Sequence, residues 1–245
     1  MRKIGVISLF LIFQIGLSGQ GNNFRLGFQM SPTISCIKSN DSGILSDGSN
    51  IGIRLGAIGE FHLSENAAIT SGLNLAFHQG GKFLHEIGGN FLTNSQLSDD
   101  LLNTGDKPLP DDVKLGYGLQ FLEIPFSFKL RTNEKGYLRY FVEAPILSFG
   151  LLTQARGDIS SNSVNVEKEN FKKDVASANM FWGFGIGAEY AISVNNSLNF
   201  GLYYSSSIID FTDNDAYKAF PNPDQNPGDP NDDFFRQDED SKGTI

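Results

Sequence analysis

The feature that most constrains the fold of this chain is an alternation of apolar and polar residues with a period of two. Side chains on a β-strand point to opposite faces in turn, so each such segment predicts a strand with one apolar face. Seven segments show the pattern, at about residues 24–37, 51–63, 68–78, 117–130, 137–152, 180–192 and 198–209. They are longer than most strands of soluble proteins and suit strands that cross a bilayer at a tilt.

The connections between these segments alternate between short and long. Short polar turns are predicted at residues 64–66, 131–136 and 193–197, and long polar loops at 39–50, 79–115 and 153–178. This arrangement is typical of outer-membrane barrels, which have short turns on the periplasmic side and long loops outside the cell. The sequence therefore predicts an all-β fold, an up-and-down antiparallel transmembrane β-barrel of the eight-stranded type.

The second face of the segments is rich in glycine and carries scattered charges of both signs. A narrow lumen admits small side chains and a few long ones that pair with one another, so we expect this face to point inward and the apolar face to meet lipid. An unpaired buried charge is costly, and a network of ion pairs is therefore predicted in the lumen. Its members are Arg54, Glu60, Glu123, Lys129, Arg139, Glu143 and Glu189.

The fourth segment, YGLQFLEIPFSFKL, shows a slip in the alternation. Its apolar residues lie at odd positions as far as Phe121 and at even positions from Leu122 onward. A β-bulge at this point would allow both halves of the strand to keep their apolar side toward lipid. We therefore expect Tyr117, Leu119 and Phe121 to point outward.

The first residues have the features of an export signal. Arg2 and Lys3 precede an apolar run over residues 4–17, and the small residues Ser18 and Gly19 follow. This pattern predicts a signal peptide over residues 1–19 and a mature outer-membrane domain over 20–245. A single cysteine excludes an internal disulfide, and a formal net charge of −9 argues against binding to nucleic acid.

Three stretches resemble a known family. FLEIPFSFKL (121–130), EAPILSFGLLTQARG (143–157) and FGIGAEYAISVNNSLNFGLYYS (184–205) are similar to the outer-membrane β-barrel domain family of Bacteroidetes-type bacteria, labelled "porin family" or PorT-like. The resemblance covers about residues 24–213 and implies an eight-stranded barrel that generally has no assigned activity. Chains of that family usually finish with a strand that ends in an aromatic residue. This chain ends in DEDSKGTI, so we expect the last strand to be missing or degenerate and residues 210–245 to form a long acidic loop.

These observations favour a non-enzymatic integral outer-membrane protein without a cofactor. Side chains would fill an eight-stranded lumen, so a general diffusion pore is not expected. The expected partners are outer-membrane lipid and an extracellular or envelope molecule bound by the long loops. Two alternatives stay open: a secreted soluble barrel that carries an apolar ligand, and a component of a protein-secretion system.

Metal binding has weak support in the sequence. The acidic residues after position 210 include candidate calcium ligands at Asp224, Asp229, Asp232 and Asp233, but their spacing matches no EF-hand loop. Such Pro-, Asn- and Asp-rich segments are normally solvated. The three histidines, His62, His78 and His85, do not form a recognisable zinc set.

Overall fold

The computed structural model describes residues 14–18, 23–39, 43–95, 97–98, 109–162, 165–193, 196–210, 217–221 and 234–238. For residues 14–18, 217–221 and 234–238 it describes the backbone alone. Among all these residues, no helix is long and apolar enough to span a membrane.

The described residues form twelve strands. They are β1 (Gln14–Ser18), β2 (Phe24–Cys36), β3 (Ile44–His62), β4 (Ala67–His85), β5 (Gly89–Asn90), β6 (Val113–Arg131), β7 (Leu138–Ser160), β8 (Asn165–Asn170), β9 (Ala178–Ala191), β10 (Ser197–Ser207), β11 (Tyr217–Pro221) and β12 (Phe234–Asp238). Four of them, β3, β4, β6 and β7, contain 19 to 23 residues and extend several residues past the predicted bounds.

Eight strands form a closed antiparallel ring. The strand order is β6-β4-β3-β2-β1-β10-β9-β7, and β6 also pairs with β7. Short turns join β3 to β4, β6 to β7 and β9 to β10 at one end of the ring, and the end of β1 and the start of β2 lie at this same end. The predicted all-β, up-and-down antiparallel barrel is confirmed.

The strand that closes the ring comes from a different part of the chain than expected. The sequence predicted a missing or degenerate last strand, whereas the structure places Gln14–Ser18 between β2 and β10. Its pairing is short, with four residue pairs to β2 and two to β10, against thirteen between β2 and β3. A strand edge within a bilayer has backbone groups that need hydrogen-bonding partners. By pairing with β2 and β10, β1 supplies such partners to both strands. These residues lie inside the predicted signal peptide, 1–19.

The predicted loops contain additional strands. β5 and β8 lie within the predicted loops 79–115 and 153–178, and β8 pairs with the end of β7. The predicted acidic loop, 210–245, contains β11 and β12, which pair with each other, and β11 also pairs with β5. Extended backbone beyond the ring obtains its hydrogen bonds in this way.

Strand β6 shows why the apolar alternation slips. Its odd-numbered residues point inward along the whole strand, and Tyr117, Leu119 and Phe121 are only 5%, 0% and 1% exposed. The predicted bulge within this strand is therefore wrong, and so is the outward direction of these three side chains. The inner face is instead apolar as far as Phe121 and polar from Glu123 onward. The outer face shows the reverse: it is polar before this point and apolar after it.

The strands on either side of β6 change polarity at the same level. Ala76 of β4, Phe121 and Leu152 of β7 are paired in register and all buried. Just beyond them each neighbouring strand gains one extra residue, where the register shifts between Ala76 and Gln79 and between Leu152 and Gln154. The shift in β4 turns His78 outward, with a φ of 57°, although its position in the alternation placed it on the lumen face.

The end of the molecule beyond this level has an apolar interior. We call it the cap: residues 44–50, 78–85, 113–121 and 152–160, strand β8 and those connecting residues at this end that the structure describes. Its buried apolar cluster joins strand and loop residues: Ile37, Ile44, Ala76, Phe83, Phe91, Leu92, Leu97, Leu109, Val113, Leu115, Tyr117, Leu119, Phe121, Leu152, Ala155, Ile159, Phe171, Val175 and Phe181. The cap is thus packed like a soluble β-domain.

The rest of the barrel is apolar on the outside. Large exposed apolar side chains surround it: Phe24, Leu26, Phe28, Met30, Ile34, Ile53, Leu55, Phe61, Leu73, Leu75, Ile124, Phe126, Leu130, Tyr140, Val142, Leu147, Phe149, Leu151, Trp182, Phe184, Ile186, Tyr190 and Leu202. We call this surface the apolar belt. A contiguous apolar surface of this extent marks contact with lipid, and the aromatic residues at its edges suit the headgroup region.

Candidate functional site: the ion-paired lumen

Inside the apolar belt, strands β2, β3, β6, β7, β9 and β10 bring charged and polar side chains together. We call this group the lumen cluster. It comprises Arg25, Arg54, Glu60, His62, Glu123, Lys129, Arg131, Glu143, Glu189 and Tyr203.

The ion pair nearest the cap joins Arg54 and Glu123. Nε of Arg54 lies 2.8 Å from Oε2 of Glu123, and Nη2 donates to Oε1 at 3.2 Å. One charge-assisted hydrogen bond and one close ionic contact thus hold the guanidinium against both carboxylate oxygens and restrict the orientation of both groups. This pair links β3 and β6 across β4, where Asn74 lies opposite Glu123.

Lys129 occupies the centre of the cluster. Its Nζ lies 3.2 Å from Oε2 of Glu60 and 3.6 Å from Oε1 of Glu143, and 4.2 Å from the centre of the Phe141 ring. Glu143 also accepts hydrogen bonds from Ser127 at 3.2 Å and from Tyr203 at 3.3 Å. A fully buried ammonium loses its hydration, and two carboxylates and an aromatic face replace it.

Arg131 continues the network toward the short turns. It forms an ion pair with Glu60, lies 3.7 Å from Glu189, and contacts Nε2 of His62 at 2.8 Å. Glu189 in turn pairs with Arg25 at 2.8 Å, so the chain of contacts reaches β2 and β9. Four cations (Arg25, Arg54, Lys129, Arg131) face four carboxylates (Glu60, Glu123, Glu143, Glu189), which leaves the cluster without net charge when His62 is neutral.

Glycines on β9 and β10 create the space for two aromatic rings in the lumen. A Cβ on Gly187 would lie 2.4 Å from Cζ of Phe141, and one on Gly185 would lie 2.3 Å from Cδ1 of Tyr203. Real Cβ atoms do not approach other atoms so closely. Gly185 and Gly187 therefore leave room for the rings that pack against them.

The structure places the predicted network residues as follows. Arg54, Glu60, Glu123, Lys129, Glu143 and Glu189 belong to the lumen cluster. Arg139 does not pair with a lumen carboxylate: its Nη2 lies 2.7 Å from Glu134, at the turn between β6 and β7. Arg139 is near the strand end, where a long side chain reaches solvent more easily than the closed interior.

Four members of the cluster were not in the predicted network: Arg25, His62, Arg131 and Tyr203. Arg25 and His62 lie on the predicted lumen face, so their alternation was a usable signal. Arg131 was assigned to a turn, although it lies two residues after Lys129 and ends β6 on the same face. Tyr203 follows Asn199 and Gly201 with the same period and points at Glu143.

The remaining candidate residues are the four aspartates of the acidic segment and the histidine His85. Asp224, Asp229, Asp232 and Asp233 lie outside the described residues. His85 is buried in the cap and stacks on Phe91, with ring centres 3.9 Å apart. Within the described ranges, no three His, Cys, Asp or Glu side chains are arranged to hold a metal ion.

Members of the lumen cluster line two separate spaces. One cavity of about 70 Å³ lies between the Arg54–Glu123 pair and Tyr203, and Phe181 lines its other end. A separate open pocket of about 560 Å³ at the short turns is lined by Arg25, His62 and neighbouring turn residues. These two spaces share no lining residue.

A closed ring with an apolar outside and an ion-paired inside defines an integral membrane β-barrel. The family described as "Outer membrane protein beta-barrel domain" matches residues 14–213, so the chain belongs to this family and is an outer-membrane β-barrel protein. The match begins at the first residue of β1 and includes every strand of the ring. Comparison with curated proteins and with solved structures gave no significant match.

Proposed function

We propose that this protein is a non-enzymatic, non-conducting barrel that anchors the cap outside the cell, where the long connections contact an extracellular or envelope partner. The observation that carries the proposal is the change of polarity between Phe121 and Leu122. From Leu122 onward the outer face of the strand is apolar and suits contact with a bilayer. Before Phe121 the outer face is polar and suits contact with water.

The dimensions of β6 agree with this division. Nine residues, Leu122 to Leu130, lie between the change of polarity and the last outward apolar residue. A tilted strand needs about 9–11 residues to cross a bilayer. The preceding nine residues, Val113 to Phe121, pack their apolar side chains into the cap, so the cap begins where the bilayer ends.

The lumen cluster supports the absence of a pore. Its charges neutralise one another, and Phe141 and Tyr203 fill the space above the lumen glycines. An ion that entered would have to separate buried pairs, which costs several kcal/mol for each pair, on the order of 3–5. His62 is held between Glu60 and Arg131, which is a structural role rather than that of a general base.

Liposome swelling tests the absence of conduction. Proteoliposomes with this protein are placed in iso-osmotic arabinose, beside proteoliposomes with a known general porin and protein-free liposomes. We expect the protein-free rate. Swelling at the porin rate would contradict a closed lumen.

Chemical labelling tests the orientation. In a Cys36→Ser background, cysteines are introduced at Lys173 in the cap and at Lys135 in the turn between β6 and β7. In intact cells a membrane-impermeant maleimide should label the first and leave the second unlabelled. The reverse pattern would place the cap in the periplasm.

Export requires a leader, and we propose residues 1–19 for this role. Cleavage near Gly19 would remove β1 from the mature chain. Gln14–Ser18 therefore cannot be both part of a cleaved leader and the strand that closes the ring of the mature protein. A PorT-like role in protein secretion stays a prediction from the resemblance. Recovery of the protein from the periplasm without detergent would favour the soluble carrier instead.

A further inference from the structure

The outer wall of the cap contains a polar groove immediately above the apolar belt. It has a volume of about 1010 Å³ and is lined by residues of β3, β4, β6 and β7 together with Glu167 and Lys168 of β8. Because it lies on the outside of the barrel, it is separate from the lumen cluster. We call it the wall groove.

Two glycines of β6 form the floor of the wall groove. In register, Gly116 lies between Lys82 of β4 and Asp158 of β7, and Gly118 lies between Gly80 and Arg156. The bulge in β4 brings Nδ1 of His78 beside Gly118, 3.0 Å from the place of a Cβ there. Side chains from β4 and β7 thus line a trough that is one strand wide and has no side chain at its centre.

The groove carries cations that are available to a ligand. Lys82 and Arg156 are exposed, and neither forms an ion pair with any residue that the structure describes. In contrast, Lys114 further along the outer face of β6 pairs with Asp47 at 2.7 Å. Gln120, Gln154 and Glu167 add hydrogen-bonding groups to the walls.

The position of the wall groove relative to the apolar belt indicates which part of the membrane it contacts. His78 directly follows Phe77, Gln120 lies two residues before the outward Leu122, and Gln154 lies three residues after the outward Leu151. The groove therefore begins where the hydrocarbon region ends, at the depth of lipid headgroups. Exposed Lys and Arg side chains at this depth attract anionic headgroups, by about 1 kcal/mol for each residue.

We propose that the wall groove binds the phosphorylated sugar headgroup of a membrane glycolipid. Lys82 and Arg156 bind the phosphate, since Arg and Lys are the usual phosphate ligands in proteins. The amide and carboxylate groups accept and donate hydrogen bonds to sugar hydroxyls, and the glycine floor accommodates the ring. The inference rests on the proposed membrane embedding, because the headgroup depth follows from the position of the belt.

Native mass spectrometry of the protein released from nanodiscs tests the proposal. The nanodiscs contain phosphatidylcholine with a minor fraction of lipid A, a phosphorylated glucosamine disaccharide lipid. We expect the wild-type protein to retain lipid A, and Lys82→Glu with Arg156→Glu to lower retention about tenfold or more. Equal retention by the wild-type protein and this double variant would overturn the proposal.

A second variant fills the groove without changing its charge. A Cβ on Gly116 would meet Asp158 at ordinary contact distances of 3.8–3.9 Å, so Gly116→Trp places a ring in the trough with little strain. It should lose lipid A to the same extent as the charge variant. Retention at the wild-type level would show that the lipid binds elsewhere.

Two controls separate the phosphate from general attraction. Lys135→Glu removes an exposed cation at the opposite end of the barrel and should leave retention unchanged. Dephosphorylated lipid A should be retained about tenfold less than lipid A by the wild-type protein; equal retention of the two lipids would contradict a phosphate site. Failure of the wild-type protein to enter nanodiscs would contradict the proposed function itself, whereas embedded protein without lipid A contradicts the wall groove alone.

Discussion

Lys129 and Glu60 form an ion pair inside the barrel, with Nζ of Lys129 3.2 Å from Oε2 of Glu60 and the lysine only 1% exposed. Glu143 lies on the other side of the same ammonium group at 3.6 Å. One cation therefore neutralises parts of two buried carboxylates. The stability of the lumen should depend on this residue more than on any exposed charge.

Replacement of Lys129 by methionine should destabilise the barrel strongly. The variant keeps most of the length of the side chain but leaves Glu143 without a cation and Glu60 with Arg131 and His62. Removal of one partner from a buried pair typically costs about 3–5 kcal/mol in the free energy of unfolding. Reversible urea unfolding in lipid vesicles measures the loss.

The matched control is Lys135→Met, at an exposed position in the turn between β6 and β7. It should change the free energy of unfolding by no more than about 0.5 kcal/mol. Addition of Glu143→Gln to Lys129→Met should restore part of the stability, because it removes one of the uncompensated charges. A full additive loss in the double variant would show that Lys129 and Glu143 do not interact.

Gly185 should be required because of Tyr203. All three atoms nearest to an added Cβ belong to the Tyr203 ring, at 2.3, 2.4 and 3.0 Å. Gly185→Ala should therefore cost about 1–3 kcal/mol through overpacking, as measured by the same unfolding assay. With Tyr203→Ala in the background, the alanine should cost much less. Equal costs in both backgrounds would mean that the ring does not define this space.

The alternation of apolar residues was sufficient to predict the barrel and most of the lumen cluster. Glu60, Glu123 and Glu189 were identified because they lie opposite an apolar face at regular spacing. The position of the bilayer was not predictable in the same way. Alternation has the same period whether the apolar side faces lipid or a protein core. The slip at Phe121 therefore resembled a bulge. In the structure the side chains of β6 alternate regularly between the two faces, and it is the polarity of each face that changes at this point.

Other errors came from strand ends. Arg139 has the position of a lumen residue, but near the turn its side chain reaches Glu134 instead. Arg131 was counted as part of a turn, yet it completes the network between Glu60 and Glu189. The extent of β3, β4, β6 and β7 beyond the apolar belt depends on pairing between distant segments, which a single sequence does not reveal.

The N-terminus of the mature protein decides which segment closes the ring. The leader prediction expects a mature chain that begins near Gln20, and mass spectrometry of the protein extracted from outer membranes measures this directly. If the mature chain begins near Gln20, the backbone of Arg25–Phe28, which pairs with β1 here, needs another hydrogen-bonding partner. A mature chain that begins before Gln14 would instead contradict the leader and retain β1 as the closing strand.

Trp182 provides a test of the apolar belt that requires no substitution. It is the single tryptophan of the chain, is 45% exposed on the outside of β9, and contacts Tyr204 edge to face at 6.0 Å. An outward ring in the belt should be quenched by brominated lipids and shielded from iodide in water, because iodide does not enter the hydrocarbon region. Fluorescence of the protein in vesicles measures both effects, with free tryptophan amide as the iodide control. Strong quenching by iodide together with no effect of brominated lipid would place Trp182 in water and contradict the assignment of this surface to the bilayer.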